Sequence, residues 1–337
     1  MEKLKARFTP ENRQKFKEDA QHFVRVHKPQ TILFVIFRHA LLIGLCFVIL
    51  YPILYMLSNA FKPTEQFSDP SVIWIPRSLT LDNFKIALQL VDLGKVLLDT
   101  LLAAIVPALI STVTCMLVAY GLSRFNFRGR GLIFALVILT IIVPSQTMTT
   151  SLYLQYRFFD PLGIISLINL IPGVELNVNL IGTPLVTILP AIFAMGLRAG
   201  LYIFIYRQFF LSLPKELEEA ASIDGCNAYS TFLRIVVPTT KNIVLTVILL
   251  SVVWYWNDYY TPSMFLGSKM EVISVTLSQF QDRLANIHNL GLGLDIATSQ
   301  TQVQAMCLIA ILPLVVLYII LQKNFSESIE SSGLTGM

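Results

Sequence analysis

The chain has 337 residues, 55% of them hydrophobic and only 14% charged, with a formal net charge of +4 and a mean hydropathy of +0.66. A water-soluble globular domain carries about 25% charged residues, so that class is excluded and the chain belongs in a bilayer. A zinc hydrolase and ATP hydrolysis through a phosphate loop go with it. The four histidines form no H-E-x-x-H arrangement, the four cysteines no C-x-x-C pair, and no G-x-x-x-x-G-K-S/T phosphate loop is present. The lone Gly94 and Lys95 lack the glycine such a loop needs upstream.

The first thirty residues scatter Lys3, Lys5, Arg7, Glu11, Arg13, Lys15, Lys17, Glu18 and Asp19 with no apolar centre, so the stretch ahead of the first span, residues 1–38, is not a secretory signal. They read as an N-terminal arm, a solvated tail in preference to a contact with anionic lipid. Six apolar spans follow, at residues 39–60, 99–120, 131–151, 181–210, 243–262 and 303–322. Each is about the 20 residues needed to cross roughly 30 Å of hydrocarbon as a helix. The expected fold is therefore an all-α integral membrane protein with six transmembrane helices. Its transmembrane domain covers residues 39–323, interrupted by a loop at 211–242 and followed by a short polar tail at 324–337. Placing both termini in the cytoplasm puts seventeen Lys and Arg on that side against seven on the other, with Arg198 inside a span. The positive-inside rule selects this orientation.

The fourth span carries Gly182, Pro184, Pro190, Gly196 and Gly200, residues that kink or unwind a membrane helix. Arg198 in its midst costs about 2.5–3.5 kcal/mol at a helix centre. It should face a cavity, a partner or the interface; snorkelling or pairing is favoured over contact with an anionic cargo.

Between the fourth and fifth spans runs the chain's one sizeable charged, helix-forming island, PKELEEAASIDGCNAYSTFLRIVVP, from Pro214 to Pro238. Pro214 suits a first helical turn, and Glu216, Glu218 and Glu219 suit the positive end of the helix dipole. Leu217, Ala220 and Ala221 at i, i+3, i+4 give a narrow face that another surface can approach closely. Gly225 breaks the pattern, and Asn227 is a good N-cap for a second helix. On that helix Tyr229, Phe232, Leu233 and Val236 recur with helical spacing, and Pro238 is expected to end it. An amphipathic helix lying on lipid is the weaker alternative, since such helices are rich in Lys and Arg rather than acids. At the end of the fifth span Trp254, Trp256, Asn257, Asp258, Tyr259 and Tyr260 combine aromatic platforms with hydrogen-bonding groups. They suit the faces of a sugar, although an interfacial aromatic belt is the safer assignment.

Glu219, Ala220, Ala221, Gly225, Ile235 and Pro238 form the pattern E-A-A-x3-G-x9-I-x-x-P, which resembles the EAA loop of ABC importer permeases. AYGLSRFNFRGRGLIF, IVPSQTMTTSLYLQY, YRQFFLSLPKELEEAASIDG and WYWNDYYTPSMFL extend the resemblance over most of residues 40–325, and they are similar to the smaller, six-span permeases of the maltose-type carbohydrate family. One departure is Val237, where that family usually has leucine. The resemblance implies a type I importer fold and a role in sugar import. It also implies a homologous second permease, a separate ATPase dimer that uses ATP and Mg, and an extracytoplasmic solute-binding protein. No cofactor is expected on this chain, and it is not expected to be an enzyme. Its implied location is a bacterial-type cytoplasmic membrane.

In the same resemblance Glu219 is the charged contact to the ATPase. Ala220 and Ala221 permit close approach, Gly225 makes the corner, and Ile235 with Pro238 anchors the second helix. The candidate substrate path consists of Arg198, Trp254, Asn257, Asp258 and Tyr259. The stretch 61–98 either touches the binding protein or caps the span ends. Competing functions are an ABC permease for another solute class and an ion-coupled secondary transporter. The latter finds few acids within the spans to serve as a relay.

Overall fold

The computed structural model describes residues 29–171, 173, 175–289 and 299–334. Among them the regular structure is entirely helical, as long apolar runs without polar alternation dictate. Residues up to Asn59 form one unit and those from Ala60 a second. In the first, helix α1 (Pro29–Ala60) is apolar over most of its length, with Arg38 and His39 among the polar exceptions, and contains Pro52. Tyr51 stacks on Tyr55 at a centroid distance of 6.3 Å, one helical turn on. Most of the predicted arm, residues 1–28, lies outside the described residues.

The second unit opens with a polar segment and α2 (Asp82–Leu90). Its buried Lys62 donates from Nζ to the Val72 and Ile73 carbonyls, and burial lowers the pKa of that ammonium. The long helix α3 (Leu93–Arg124) follows. Asp92 caps it by accepting the Lys95 N–H at 3.1 Å, the service an N-cap carboxylate performs for an orphan donor. Then come α4 (Arg130–Ile142), α5 (Thr149–Arg157), α6 (Ile164–Ile168), α7 (Leu185–Ile192) and α8 (Ala199–Ser212). After these lie α9 (Glu216–Ile223), α10 (Ala228–Thr239), α11 (Lys241–Asn257), α12 (Tyr260–Phe265), α13 (Ile273–Asn289) and α14 (Gln300–Leu334). The core joins α3, α8, α10 and α11 through Tyr120, Tyr202, Phe210, Phe232 and Val247. A second cluster packs α2 and α13 against α11 and α14 around Trp256, Phe280 and Met306.

Three helices among the described residues are long and apolar enough to cross a membrane unbroken: Leu33–Ala60, Leu93–Arg124 and Gln300–Gln322. The other predicted spans are interrupted, each for a local reason. The expected span 131–151 stops at Ile142 because Val143, preceding Pro144, is forced into extended backbone at φ −72°, ψ 122°. The chain then turns by 92° into the segment beginning at Gln146. The expected span 243–262 stops at Asn257. There Asp258 leaves the helix and accepts the Tyr260 and Thr261 N–H groups to start α12. The span 181–210 is divided between α7 and α8 by a non-helical stretch, the outcome its prolines and glycines predict.

Two prolines sit inside helices by one device. A π-type turn over Leu101–Ile105 ends two residues before Pro107, and another over Phe232–Val236 ends two residues before Pro238. Widening the backbone there accommodates a ring that would collide with the carbonyl four residues earlier. The second helix of the island consequently runs past Pro238 to Thr239, where the sequence pattern places its end at the proline.

Candidate functional site

The island folds as two short helices meeting at a corner. Leu213 is extended ahead of Pro214, so α9 begins at Glu216, with Lys215 as N-cap, rather than at the proline itself. Gly225 turns the chain in the left-handed region at φ +82°, where L side chains are disfavoured. The Cys226 N–H closes the turn on the Ala221 carbonyl at 2.9 Å. Asn227 Oδ1 then accepts the Ser230 N–H at 2.8 Å and caps α10. From α10 the chain bends by 78° into α11.

The faces of the two helices differ from the pattern read in sequence. Ala221 is buried, whereas Glu219, Ala220 and Leu217 are exposed. On α10 Phe232 and Val236 are buried while Tyr229 and Leu233 point outward. The reason is packing: Phe232 meets Tyr120 of α3 at a centroid distance of 4.8 Å, and the opposite side of the helix, with Tyr229 and Leu233, is exposed among the described residues. Ile235 is half-buried and lines a small cleft with Arg124, Leu217 and Glu218. Pro238 is exposed.

An ion pair ties this corner to α3. Arg124 Nε lies 2.7 Å from Glu218 Oε1, with side chains 7% and 21% exposed, and Arg124 Nη2 donates to the Leu213 carbonyl at 3.1 Å. Sequence reasoning missed the pair. It singled out Glu219 among the three glutamates of the first turn and gave Glu218 only a part in the helix dipole; the signal available was Arg124, a basic residue at the end of a helix.

The second candidate region is the break between α7 and α8. Ala194 and Arg198 adopt positive φ, 54° and 59°, conformations that cost a non-glycine residue about 1–3 kcal/mol and persist only where surroundings enforce them. The surroundings are polar and specific. Tyr255 Oη accepts the Leu197 N–H at 2.9 Å and lies 3.1 Å from Ser111 Oγ; Thr114 Oγ1 donates to the Ala191 carbonyl at 2.7 Å. Helices α3 and α11 thus supply partners that the unwound backbone lacks.

The residues expected to line a substrate path are only partly gathered. Arg198 lies over the Trp254 ring, its guanidinium carbon 4.3 Å from the centroid, a cation–π contact. Asn257 Nδ2 folds back to the Val253 carbonyl at 2.9 Å, Asp258 caps α12, and Tyr259 is exposed. Trp256 is buried, donating to the Ala310 carbonyl at 3.1 Å. The aromatic run therefore divides: Tyr255 and Trp256 hold neighbouring helices, and Trp254 faces Arg198.

Residues 111–331 match the family of binding-protein-dependent transport system inner membrane components. Among curated relatives, the melibiose/raffinose/stachyose import permease protein MelC of Bacillus subtilis is 30% identical over 288 residues, 85% of this chain and 91% of that protein. The arabinooligosaccharides transport system permease protein AraQ of Halalkalibacterium halodurans is 25% identical, with 87% and 93% covered. Among solved structures, a bacterial ABC transporter involved in the import of the acidic polysaccharide alginate contains a chain of the same fold. It has a TM-score of 0.69 at 19% identity, covering 89% of this chain and 99% of that one. With a family match over well more than half of its residues and a relative at this identity, the chain belongs to the binding-protein-dependent transport system inner membrane components, as a permease and not an enzyme.

Proposed function

We propose that this chain is one of two permeases in an ATP-driven importer of a sugar or oligosaccharide, and that the corner of α9 and α10 is where a separate ATPase docks. The carrying observation is the division of the corner's faces: Ala221, Phe232 and Val236 are buried against the permease while Glu219, Ala220 and Tyr229 are turned outward. An element anchored on one side and bare on the other suits a lever held by a second protein. Glu219 supplies the charged contact, Ala220 allows close approach, Gly225 sets the angle, and Ile235 with Pro238 seats the second helix.

In this proposal the N-terminus and the corner lie in the cytoplasm, and the chain crosses the membrane six times, α7 and α8 together making the fourth passage. The saccharide cargo is supported by relatives named for melibiose, raffinose, stachyose and arabinooligosaccharides. A solute-binding protein delivers it to the outer face, and a second permease completes the path. Arg198 and Trp254 border that path beside the break.

Reconstitution with the ATPase, the second permease and the binding protein tests the assignment. Glu219→Lys and Gly225→Val are expected to insert normally and to lose sugar-stimulated ATP hydrolysis. Wild-type coupling in both variants would refute the lever.

A further inference from the structure

We infer that the shielded Arg124–Glu218 pair fastens the corner to α3, and that α3 is the rod carrying motion from the corner to the break and to the far rim of the permease. The inference rests on the corner's being the ATPase contact. Three acids open α9, and their placement separates their duties: Glu216 and Glu219 are exposed, while Glu218 faces inward to Arg124. Charge stabilisation of a helix start needs no burial, so the inward glutamate has a different task.

Arg124 holds three elements at once. It terminates α3, pairs with α9 through Glu218, and grips the chain leaving α8 through the Leu213 carbonyl. Tyr120, one turn earlier on α3, completes the joint: its hydroxyl reaches toward Glu218 Oε2 at 3.5 Å, and its ring packs on Phe210 of α8 and Phe232 of α10. An ion pair withdrawn from water resists separation, because parting leaves an uncompensated charge.

What α3 touches along its length gives the pair its consequence. Its 32 residues extend about 48 Å at 1.5 Å per residue. Midway, Ser111 and Thr114 engage Tyr255 and the Ala191 carbonyl at the break. At the opposite end, Asp99 Oδ2 accepts the Glu271 N–H at 2.8 Å, and Thr100 Oγ1 accepts the Ile273 N–H at 2.9 Å at the start of α13. One helix therefore connects the corner, the strained break and the distal rim. Arg124 and Glu218 are positioning residues that act through it.

The test uses the full transporter in proteoliposomes, with bound ATPase measured by copurification and sugar uptake measured per ATP hydrolysed. Arg124→Glu and Glu218→Arg are each expected to retain the ATPase and to lower uptake per ATP at least about fivefold, the scale of an allosteric coupling; the double reversal should recover most of it. Glu218→Gln, which keeps shape and removes charge, should lower the same ratio. Wild-type uptake per ATP in Glu218→Gln overturns the inference whatever the reversals do, as does a double reversal no better than its parents. Shedding of the ATPase by Glu218→Arg but not by Arg124→Glu also overturns it, by making Glu218 a direct contact. Failure of the corner itself is read separately: if a cysteine placed at Ala220 never cross-links to the ATPase, the docking assignment falls rather than the fastening.

Discussion

The break at residues 193–198 and the corner at 224–227 are both places where a helix gives way to left-handed backbone, yet they are built on opposite principles. At the break the positive φ angles belong to Ala194 and Arg198, and the intervening Gly196 is hemmed in. A Cβ there would lie 2.3 Å from Tyr255 Oη, 2.8 Å from Ser111 Oγ and 3.2 Å from Ala191 Cα. At the corner the left-handed residue is Gly225 itself, and a Cβ would meet nothing within 4 Å. The break is defined by its neighbours and the corner by its own backbone. A joint fixed by surrounding helices transmits their movement, whereas a joint open on its outer side is free to be gripped by something else.

The largest expected effect comes from filling the crowded joint. Gly196→Val forces Tyr255 or Ser111 aside, and overpacking of this kind costs about 1–3 kcal/mol. Loss of the Leu197 hydrogen bond adds to it. Unfolding of the purified permease in mixed detergent should show a destabilisation near the top of that range and a fall in transport. Unchanged stability would mean that the break relaxes freely and is not held by α3 and α11. Tyr255→Phe sharpens the point by removing only the hydroxyl. The half-buried Leu197 N–H then loses its acceptor, a cost of about 1 kcal/mol, toward the low end of the range for an unsatisfied donor, measured in the same assay with the ring packing intact.

The contrast between the two joints also marks what could be read in the sequence. The corner was legible because its determinants are local: a proline, an acidic first turn, Gly225 and Asn227 each act through backbone geometry within a few residues. The existence of a break at 181–210 was legible for the same reason. Its fastening was not, because Ser111, Thr114 and Tyr255 come from helices distant in sequence, and hydroxyls in an apolar span look alike whether they bond their own helix or another. Arg124 and Glu218 escaped notice on similar grounds, since a surface salt bridge and a buried one share a spelling. The overextended third and fifth spans, 131–151 and 243–262, arose because the sequence stays uncharged past Pro144 and Asp258 while the helix does not continue. Hydropathy registers the solvent a segment prefers; it does not register the turn that takes the chain out of the helix.

A comparably small effect on stability, and the clearest separation of the two joints, is expected from Gly225→Ala. The methyl group has open space, so the cost is confined to holding an L residue in left-handed backbone, about 1–2 kcal/mol, and no neighbouring helix is displaced. If the corner is a lever whose angle matters, this variant should melt only slightly below the wild type and yet lose a larger share of sugar-stimulated ATP hydrolysis than Tyr255→Phe does. The ratio of lost coupling to lost stability thus orders the two joints. A Gly225→Ala permease whose coupling declines only in proportion to its stability would place the corner in the same class as the break, a structural joint rather than one that sets the angle between two proteins.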